Sequence, residues 1–344
     1  MSLPDTPFGA DELGAADDIA EADDIGTFAP FGQFDEAVDS AEAIGVDSGA
    51  SLVKLCLRQP GGELYFATWP SPSRERVLAL LDRVAPERIG VTGCGSVDLI
   101  ASLDREVANP LEFDAWGRGA NDMLKRAGLA SDAPYLLVSI GTGTSALRVE
   151  GDRVERVGGT ALGGGTALGL GLTLTGCRSH EELMALASRG DRGRVDLLIS
   201  DVYDANEIPL ADEATASSFG KLARSLDQAR ASFSSEGPPV SSDPNPRPGA
   251  PLENQGLPKM DDPPRPEDLA AAIMGLVAEN IALLSIAQAS AAGVSRIVYG
   301  GSTLNENPRI IEIVRLLGAV MGFEAVVLPS SGHAGALGAM LMSS

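Results

Sequence analysis

The chain has 344 residues, enough to bury a sizeable core in one to three domains. Its net charge is −22, and residues 1–43 hold twelve Asp or Glu and no Lys or Arg, so the acidity is greatest at this end. This balance argues against nucleic acid or an anionic membrane as a partner.

Cysteine and histidine are scarce. The three cysteines, Cys56, Cys94 and Cys177, are scattered and odd in number, which predicts reduced thiols in a cytoplasmic protein. Two histidines, His180 and His333, are too few for a His-based metal site or a Ser-His-Asp triad. No apolar run reaches the length needed to span a bilayer, and no basic segment precedes a signal-type apolar run, so we expect no membrane association.

The composition of residues 1–42 predicts an acidic flexible tail, with an interaction arm around Asp11–Asp23 as the alternative.

Folded structure is expected from Ala43, where two apolar strands flank a tight turn. Asp47 ends the first strand, Gly49 forms the turn, and Lys54 lies in the second strand. A buried carboxylate, turn amides and an ammonium group together suit magnesium and phosphate. The alternative is a plain hairpin, because Asp-x-Gly also occurs there.

The next elements extend this unit. The pattern predicts a third strand over 63–68, a helix over 73–84 and a short strand over 88–92. Beyond Pro110, Glu112 precedes a helix that runs to about Ala127. The N-terminus of a helix lowers a carboxyl pKa, so Glu112 is a candidate general base. Spacing alone favours the alternative, in which Glu112 and Asp114 merely cap the helix.

The stretch from Tyr135 to Thr175 is dense in glycine and threonine, and we place the main site there. It predicts strands over 135–140, 146–150 and 153–157, Gly-rich turns at 141–145, 158–160 and 163–166, and a helix over 167–174. Backbone amides of such turns and of a helix N-terminus cradle phosphate. Gly141–Ala146 also fits the dinucleotide fingerprint, but that motif must open a helix and here a strand follows. Plain turns in a β-rich domain are the remaining alternative.

The rest of the chain alternates helices and strands. The pattern predicts a capped helix over 179–189, an apolar run over 195–203, a helix over 217–231, a Pro-rich insertion over 232–266, a long apolar helix over 267–292, a strand over 296–299 that leads into Gly300–Thr303, a helix over 308–321, a strand over 324–328 and a last helix after Gly332. The long helix is too apolar for a solvent-exposed element, so we expect it in a core or a dimer interface. His333 is expected to be a turn or cap residue.

The β-β-β-α-β order therefore occurs twice, over 43–134 and again within 135–344. This arrangement resembles the ribonuclease-H-like halves of the actin, sugar-kinase and chaperone ATPase superfamily. We expect an α/β protein of two lobes that face each other across a nucleotide cleft. The sequence lacks GxxxxGK[ST], which excludes a P-loop kinase.

Several ordered motifs resemble the type II (eukaryotic-like) pantothenate kinase family, over 43–228 and 267–342. They are IGVDSGASLVKL, LEFDAWGRGA, VSIGTGTSA, RVGGTALGGGTALGLGLTLTG, RGDRGRVDLLISDVYD, ATASSFGKL, IVYGGSTL and GHAGALGAM. The resemblance implies ATP- and Mg²⁺-dependent phosphorylation of the primary hydroxyl of pantothenate, the first step toward coenzyme A. It also implies a homodimer built around the long helix and possible feedback by coenzyme A or its thioesters.

The same resemblance implies roles for individual residues. Glu112 matches the general base, Arg156 the arginine that meets the pantothenate carboxylate, and Asp47 the residue that organises Mg²⁺ through water. Thr142 matches a hydroxyl residue of the substrate and nucleotide cleft. The ATP and phosphate positions are Gly49, Ala50, Ser51, Leu52, Lys54, Gly141, Thr142, Gly143, Gly163, Gly164, Gly165, Thr166 and Ser302.

One departure from the family pattern concerns the first phosphate turn. The usual Asp-x-Gly-Gly-Thr is Asp47-Ser48-Gly49-Ala50-Ser51 here, so Ala50 adds a β-carbon where a tight loop prefers none. Two alternatives therefore stay open. One is a kinase of the same fold that acts on another small hydroxy acid or sugar, and the other is a nucleotide-binding regulator without catalysis.

Overall fold

The computed structural model describes residues 32–33, 38–202, 214–224, 263–328 and 330–343. Its first sheet contains β1 (Gly32–Gln33), β2 (Ala43–Ser48), β3 (Leu52–Arg58), β4 (Leu64–Pro70) and β5 (Arg88–Thr92). The strand order is β1-β4-β3-β2-β5, with an antiparallel meander through β2, β3 and β4 and with β5 parallel to β2. The helix α1 (Arg74–Val84) packs its apolar stripe on this sheet, and α2 (Ser96–Ile100) follows β5.

The second sheet repeats this plan. It contains β6 (Tyr135–Ile140), β7 (Thr144–Glu150), β8 (Arg153–Thr160), β11 (Arg296–Gly300) and β12 (Glu324–Val327), in the order β12-β11-β6-β7-β8. An antiparallel meander again leads into a parallel strand, which confirms the predicted duplication. The counterpart of β12 in the first sheet is reduced to one parallel bridge beside β5. In it the Ala108 N–H donates to the Ile89 carbonyl at 2.9 Å and the Ala108 carbonyl accepts from the Val91 N–H at 2.8 Å.

The other elements are the helices α3 (Glu112–Arg126), α4 (Gly164–Thr175), α5 (His180–Ala187), α6 (Pro266–Ala291), α7 (Pro308–Val320) and α8 (Ala334–Leu341), and the small antiparallel pair β9 (Leu197–Leu198) and β10 (Thr215–Ser217). The helix α5 is capped as expected, because the Ser179 hydroxyl accepts from the Glu182 N–H at 3.2 Å. Two boundaries differ from the prediction. Gly158–Thr160 continue β8, and Gly164–Thr166 form the first turn of α4, so neither segment is a loop.

Several predicted segments lie partly outside the described residues. Of the acidic tail, residues 32–33 and 38–42 are described. Residues 32–33 form β1 beside β4, and Val38 and Ala41 are buried against the first sheet, so ordered structure begins before Ala43 and the prediction of a flexible tail is wrong for these residues. The helix expected over 217–231 is preceded by β10 and is helical over 220–224, where the description stops. Most of the Pro-rich insertion, 232–262, lies outside the described residues, and Pro266 at its end opens α6.

The helix α6 corrects the expectation that no run could span a membrane. Among the described helices, it alone is long and apolar enough to cross a bilayer, by length and composition. Of its most apolar stretch, 67% is buried inside the protein, as in the core helix of a globular fold. Its buried face packs against α4, α5, α7 and the second sheet and forms the core of the second lobe.

A third cluster of buried side chains joins the two lobes, and α8 lies at its centre. The helix packs on β2, β5 and α3, and glycines allow the close approach. A β-carbon at Gly45 would overlap the carbonyl of Ala336, and one at Gly338 would overlap that of Ala115. His333, in the turn before α8, stacks on Phe66 of β4 with ring centroids 4.7 Å apart.

Candidate functional site

The two lobes enclose a cleft of about 540 Å³. Nine of the predicted residues line it, namely Asp47, Gly49, Ala50, Lys54, Glu112, Gly141, Thr142, Gly143 and Arg156. The strands β2 and β6 occupy equivalent places in the two sheets, so their carboxyl ends and the hairpins that follow them face each other. The remaining predicted residues do not line the cleft, namely Ser51, Leu52, Gly163, Gly164, Gly165, Thr166 and Ser302.

Asp47 is a buried carboxylate at the end of β2, with only 2% of its surface exposed. Its Oδ2 atom pairs with Lys54 Nζ at 3.2 Å across the hairpin, where the two residues are cross-strand partners. Burial raises the pKa of Asp47, and the Lys54 charge opposes that rise. The pair therefore presents an acceptor and a cation side by side in the cleft.

Glu112 is the first residue of α3 and is exposed to the cleft. Surrounding protein atoms and then the negative charge of Asp47 raise its pKa, while Lys54 lowers it. This direction is opposite to the one we expected from the helix N-terminus alone. The partial desolvation and the neighbouring carboxylate outweigh the helix dipole at this position.

The two facing hairpins meet at their tips. The Ser51 and Thr142 hydroxyl oxygens are 2.9 Å apart and join the two lobes by a hydrogen bond. The Gly49 N–H is already donated to the Leu52 carbonyl at 3.0 Å. Ala50 is not among the non-glycine residues with positive φ, so its backbone conformation is accessible to any L-residue and the turn is unstrained there.

The N-terminal turn of α4 differs from the prediction. The Gly164 N–H donates to the Gly141 carbonyl at 2.8 Å, and the Gly165 N–H donates to the Thr142 carbonyl at 3.0 Å. A helix N-terminus leaves its first amides without partners inside the helix, and the preceding hairpin satisfies two of them here. In this geometry these two amides support the 141–143 turn from behind and are not free to hold a phosphate.

The turn after β11 gives the same hairpin a second support. Gly301 has a φ of 114°, and Ser302 opens a short 3₁₀ turn. The next hydroxyl, that of Thr303, donates to the Gly141 carbonyl at 3.0 Å. Ser302 itself lies behind the cleft lining, while Thr303 is a supporting residue that sequence reasoning missed.

Arg156 enters the cleft from β8. A bulge at Val157 shifts the register, because Ala146 pairs with Gly158 while Leu147 pairs with Arg156. The guanidinium carbon lies 5.8 Å from the centroid of the Phe113 ring. Within the described ranges the guanidinium has no carboxylate partner in an ion pair, so its charge is available to an anionic ligand.

Sequence reasoning also missed several lining residues: Cys94, Trp116, Ser139, Thr144, Ser145, Gly159, Thr160 and Ala161. Ser139 and Ser145 are cross-strand partners in β6 and β7. Trp116 lies one turn after Glu112 on α3, and the i, i+4 spacing was a usable signal for it. Cys94 lies near the end of β5 and is exposed, whereas Cys56 and Cys177 are buried.

The chain is similar in sequence to proteins of a known family. Residues 111–342 match the model of the Fumble family. The type II pantothenate kinase of Oceanobacillus iheyensis is 32% identical over 301 residues, which cover 87% of this chain and 99% of that protein. The chain belongs to the type II pantothenate kinase family. The type II pantothenate kinase of Staphylococcus haemolyticus is 29% identical over 300 residues, with the same coverage of 87% and 99%.

A solved structure supports the fold. The activator of 2-hydroxyisocaproyl-CoA dehydratase from Clostridium difficile, with bound ADPNP, superposes on this member of the type II pantothenate kinase family with a TM-score of 0.52. The match covers 88% of this chain and 93% of that one at 18% sequence identity, so it is evidence for the two-lobed ATPase architecture and for that alone.

Proposed function

We propose that this protein transfers the terminal phosphoryl group of ATP to the primary hydroxyl of pantothenate, the first step toward coenzyme A. The supporting observation is one cleft that holds a carboxylate base candidate, a buried acid beside a lysine, two facing Gly-rich hairpins and an arginine with no carboxylate partner in the described residues. Phosphoryl transfer is governed mainly by positioning and charge, and these groups supply both.

Magnesium is part of this proposal, and the surroundings of Asp47 fit it. A β-carbon at Gly93 would lie 2.7 Å from Asp47 Oδ1 and one at Gly335 would lie 2.9 Å from Oδ2, so glycines keep space beside both oxygens. Mg²⁺ commonly takes one or two carboxylates, with water and phosphate oxygens as its other ligands. The described residues contain no group of three or more His, Cys, Asp or Glu placed to hold a metal, as expected for an ion held mostly by water and nucleotide. When bound, the ion would neutralise phosphate charge.

The two hairpins, 49–51 and 141–143, would bind the phosphates from opposite lobes, with Lys54 supplying positive charge. The hydrogen bond between Ser51 and Thr142 means that the lobes already meet over this part of the cleft. Thr303 and the first turn of α4 would act indirectly, by fixing the 141–143 turn.

Glu112 would accept the proton of the substrate hydroxyl. Its pKa is raised by burial and by the charge of Asp47, which makes it a stronger base than an ordinary surface glutamate. Asp114, in the same first turn of α3, does not line the cleft. That difference favours Glu112 as the base over Asp114.

Arg156 would bind the substrate carboxylate. A guanidinium fork suits a planar carboxylate better than the hydroxyl groups of a neutral sugar, so Arg156 favours pantothenate over the alternative substrates. The unstrained backbone at Ala50 removes the main argument for a catalytically silent regulator.

We also propose a homodimer in the cytoplasm, and exposed apolar side chains support the dimer. Exposed leucines occur on α4 (Leu172 and Leu174) and on α6 (Leu283 and Leu284), two helices that pack against each other. A shared apolar surface of this kind suits a second copy of the chain. Sedimentation of the parent and of a Leu283→Lys variant would test the dimer, which we expect the variant to weaken.

ADP release tests the proposed reaction. The purified protein with Mg-ATP should release ADP in a pantothenate-dependent manner, and Glu112→Gln should abolish that release. Asp114→Asn is the matched control, because it removes one negative charge from the same helical turn outside the cleft. ATP binding without pantothenate-dependent ADP release would refute the proposal, and other hydroxy acids would then be screened. Coenzyme A and its thioesters, added to the same assay, would test feedback.

A further inference from the structure

The side chain of Trp116 is buried in the core, yet its indole N–H has no described hydrogen-bond partner there. Only 5% of its surface is exposed, and its ring belongs to the buried cluster between the lobes. Its indole N–H donates no hydrogen bond to any described residue, and the nitrogen is not one of the fully enclosed unpaired atoms of those residues, so it is open to the cleft that the side chain lines. Because the N–H of a tryptophan in a protein interior usually finds a partner, this donor is available to a ligand.

The position of the indole nitrogen shows where a partner would have to be. A β-carbon at Gly335 would lie 3.0 Å from Trp116 Nε1 and 2.9 Å from Asp47 Oδ2, so these two atoms are neighbours beside the same glycine. Trp116 lines the cleft together with Asp47 and Glu112. The N–H therefore lies at the cleft wall, next to the carboxylate that we assign to the magnesium ion.

The ring is held firmly in this position. A β-carbon at Gly300 would lie 3.5 Å from Trp116 Cζ3, so the ring packs against the end of β11 as well as against α8. Glu112 is one helical turn earlier on α3, and the i, i+4 spacing directs both side chains toward the cleft. The helix thus presents a proton acceptor and a fixed neutral donor side by side.

The chemistry of the group decides what it can bind. An indole N–H is a donor only, so its partner must be an acceptor. Lys54 lines the same cleft and is paired with Asp47, and a ligand group whose oxygens can accept from both a lysine and an indole N–H is a phosphate. Resting on the proposed function, we propose that the Trp116 indole N–H binds an oxygen of the transferable phosphate of ATP beside Asp47.

The indole signal in a ¹H–¹⁵N NMR spectrum tests this directly. The chain contains two tryptophans, Trp69 and Trp116, so Trp69→Phe leaves one indole signal to follow. Trp69 lies in the core of the first lobe, away from the cleft lining. With Mg²⁺ and β,γ-imido-ATP the Trp116 signal should move downfield, whereas Mg-ADP, which lacks the transferable group, should move it much less. An unmoved signal, or the same movement with both nucleotides, would overturn the assignment.

Kinetics give a second readout. Trp116→Phe keeps an aromatic ring and removes the donor, and the loss of a hydrogen bond to a charged oxygen should lower kcat/KM for ATP by about 10- to 100-fold. Removal of an interaction that strengthens in the transition state lowers kcat, while a purely structural role would leave both parameters nearly unchanged in the folded variant. Unchanged kinetics in a folded Trp116→Phe protein would also overturn the proposal.

The two proposals fail in different ways. The NMR experiment needs the nucleotide alone, so a downfield shift in a protein that does not phosphorylate pantothenate would refute the substrate and keep the Trp116 assignment. Pantothenate-dependent turnover with an unmoved indole signal would do the reverse.

Discussion

The role of Arg156 gives a quantitative test of substrate identity. Replacing Arg156 with Gln removes the charge and keeps a polar side chain of similar reach. In the described residues the guanidinium has no ion pair to lose, so the change should act through the ligand and leave the fold intact. A hydrogen bond to a charged group contributes about 1.5–3 kcal/mol. Because Arg156 is exposed to solvent in the cleft, we expect the lower value, or about a tenfold rise in KM for pantothenate.

The assay compares pantothenate with pantothenamide, in which a neutral amide replaces the carboxylate. The parent should prefer pantothenate, and Arg156→Gln should remove most of that preference because its effect on pantothenamide is small. Arg153→Gln is the control, since Arg153 lies on the same strand with 72% of its side chain exposed and pairs with Glu155 at 3.4 Å. If Arg156→Gln weakened both substrates equally, Arg156 would act on the phosphate or on the fold, and the reasoning about the carboxylate would be refuted.

Three further predictions follow from the same geometry. The acid limb of the pH profile of kcat/KM should lie above the ordinary pH range of a glutamate, because the base must be ionised and the pKa of Glu112 is raised. Lys54→Met should move this limb to still higher pH, since the lysine lowers that pKa. A limb that does not move would exclude Glu112 as its source. Gly338→Ala should destabilise the fold by about 1–3 kcal/mol, since the added β-carbon would overlap the Ala115 carbonyl. Gly169→Ala should stabilise it by about 0.5–1 kcal/mol, because that helical position has open space around it. Thermal unfolding midpoints of the two variants that move in the same direction would contradict this. Burial lowers the pKa of His333, so the unfolded protein binds a proton at this histidine more readily than the folded protein does. The free energy of unfolding should therefore fall as the pH drops below about 6.5, and His333→Asn should make that fall less steep. An equal dependence of stability on pH in both proteins would be the contrary result.

The sequence predicted the repeated elements well because each depends on local pattern. Each local signal depends only on residues a few positions away along the chain. Examples are the alternation of the strands, the Gly-Asp turn at 151–152 and the capping residues Ser179 and Glu182. The long helix was found at nearly its observed bounds for the same reason, because a continuous apolar run has few other outcomes.

The prediction was weakest where an atom's partner comes from elsewhere in the chain. The amides of Gly164 and Gly165 looked available for phosphate until the fold placed the carbonyls of residues 141 and 142 against them. The pKa of Glu112 is raised first by burial among surrounding protein atoms and then by Asp47, 65 positions earlier by residue number, and no local pattern could supply either cause. The lining residues that sequence reasoning missed, such as Ser139 and Trp116, lie in ordinary strand and helix patterns. They become part of the site because the fold places them at the cleft between the two lobes.

The packing of α8 bears on how the chain acquires its shape during synthesis. This helix comes last among the described elements, yet it lies against β2 and β5, which are among the first. Until it emerges from the ribosome, the faces of the first sheet around Gly45 and Gly90 are uncovered, and Asp47 lacks Gly335, one of the two glycines that border its carboxylate. Contacts so distant along the chain form slowly. A chain that lacks residues 334–341 should therefore bind no nucleotide, so the nucleotide cleft forms only after the lobe that contributes β2 has waited for this distant helix.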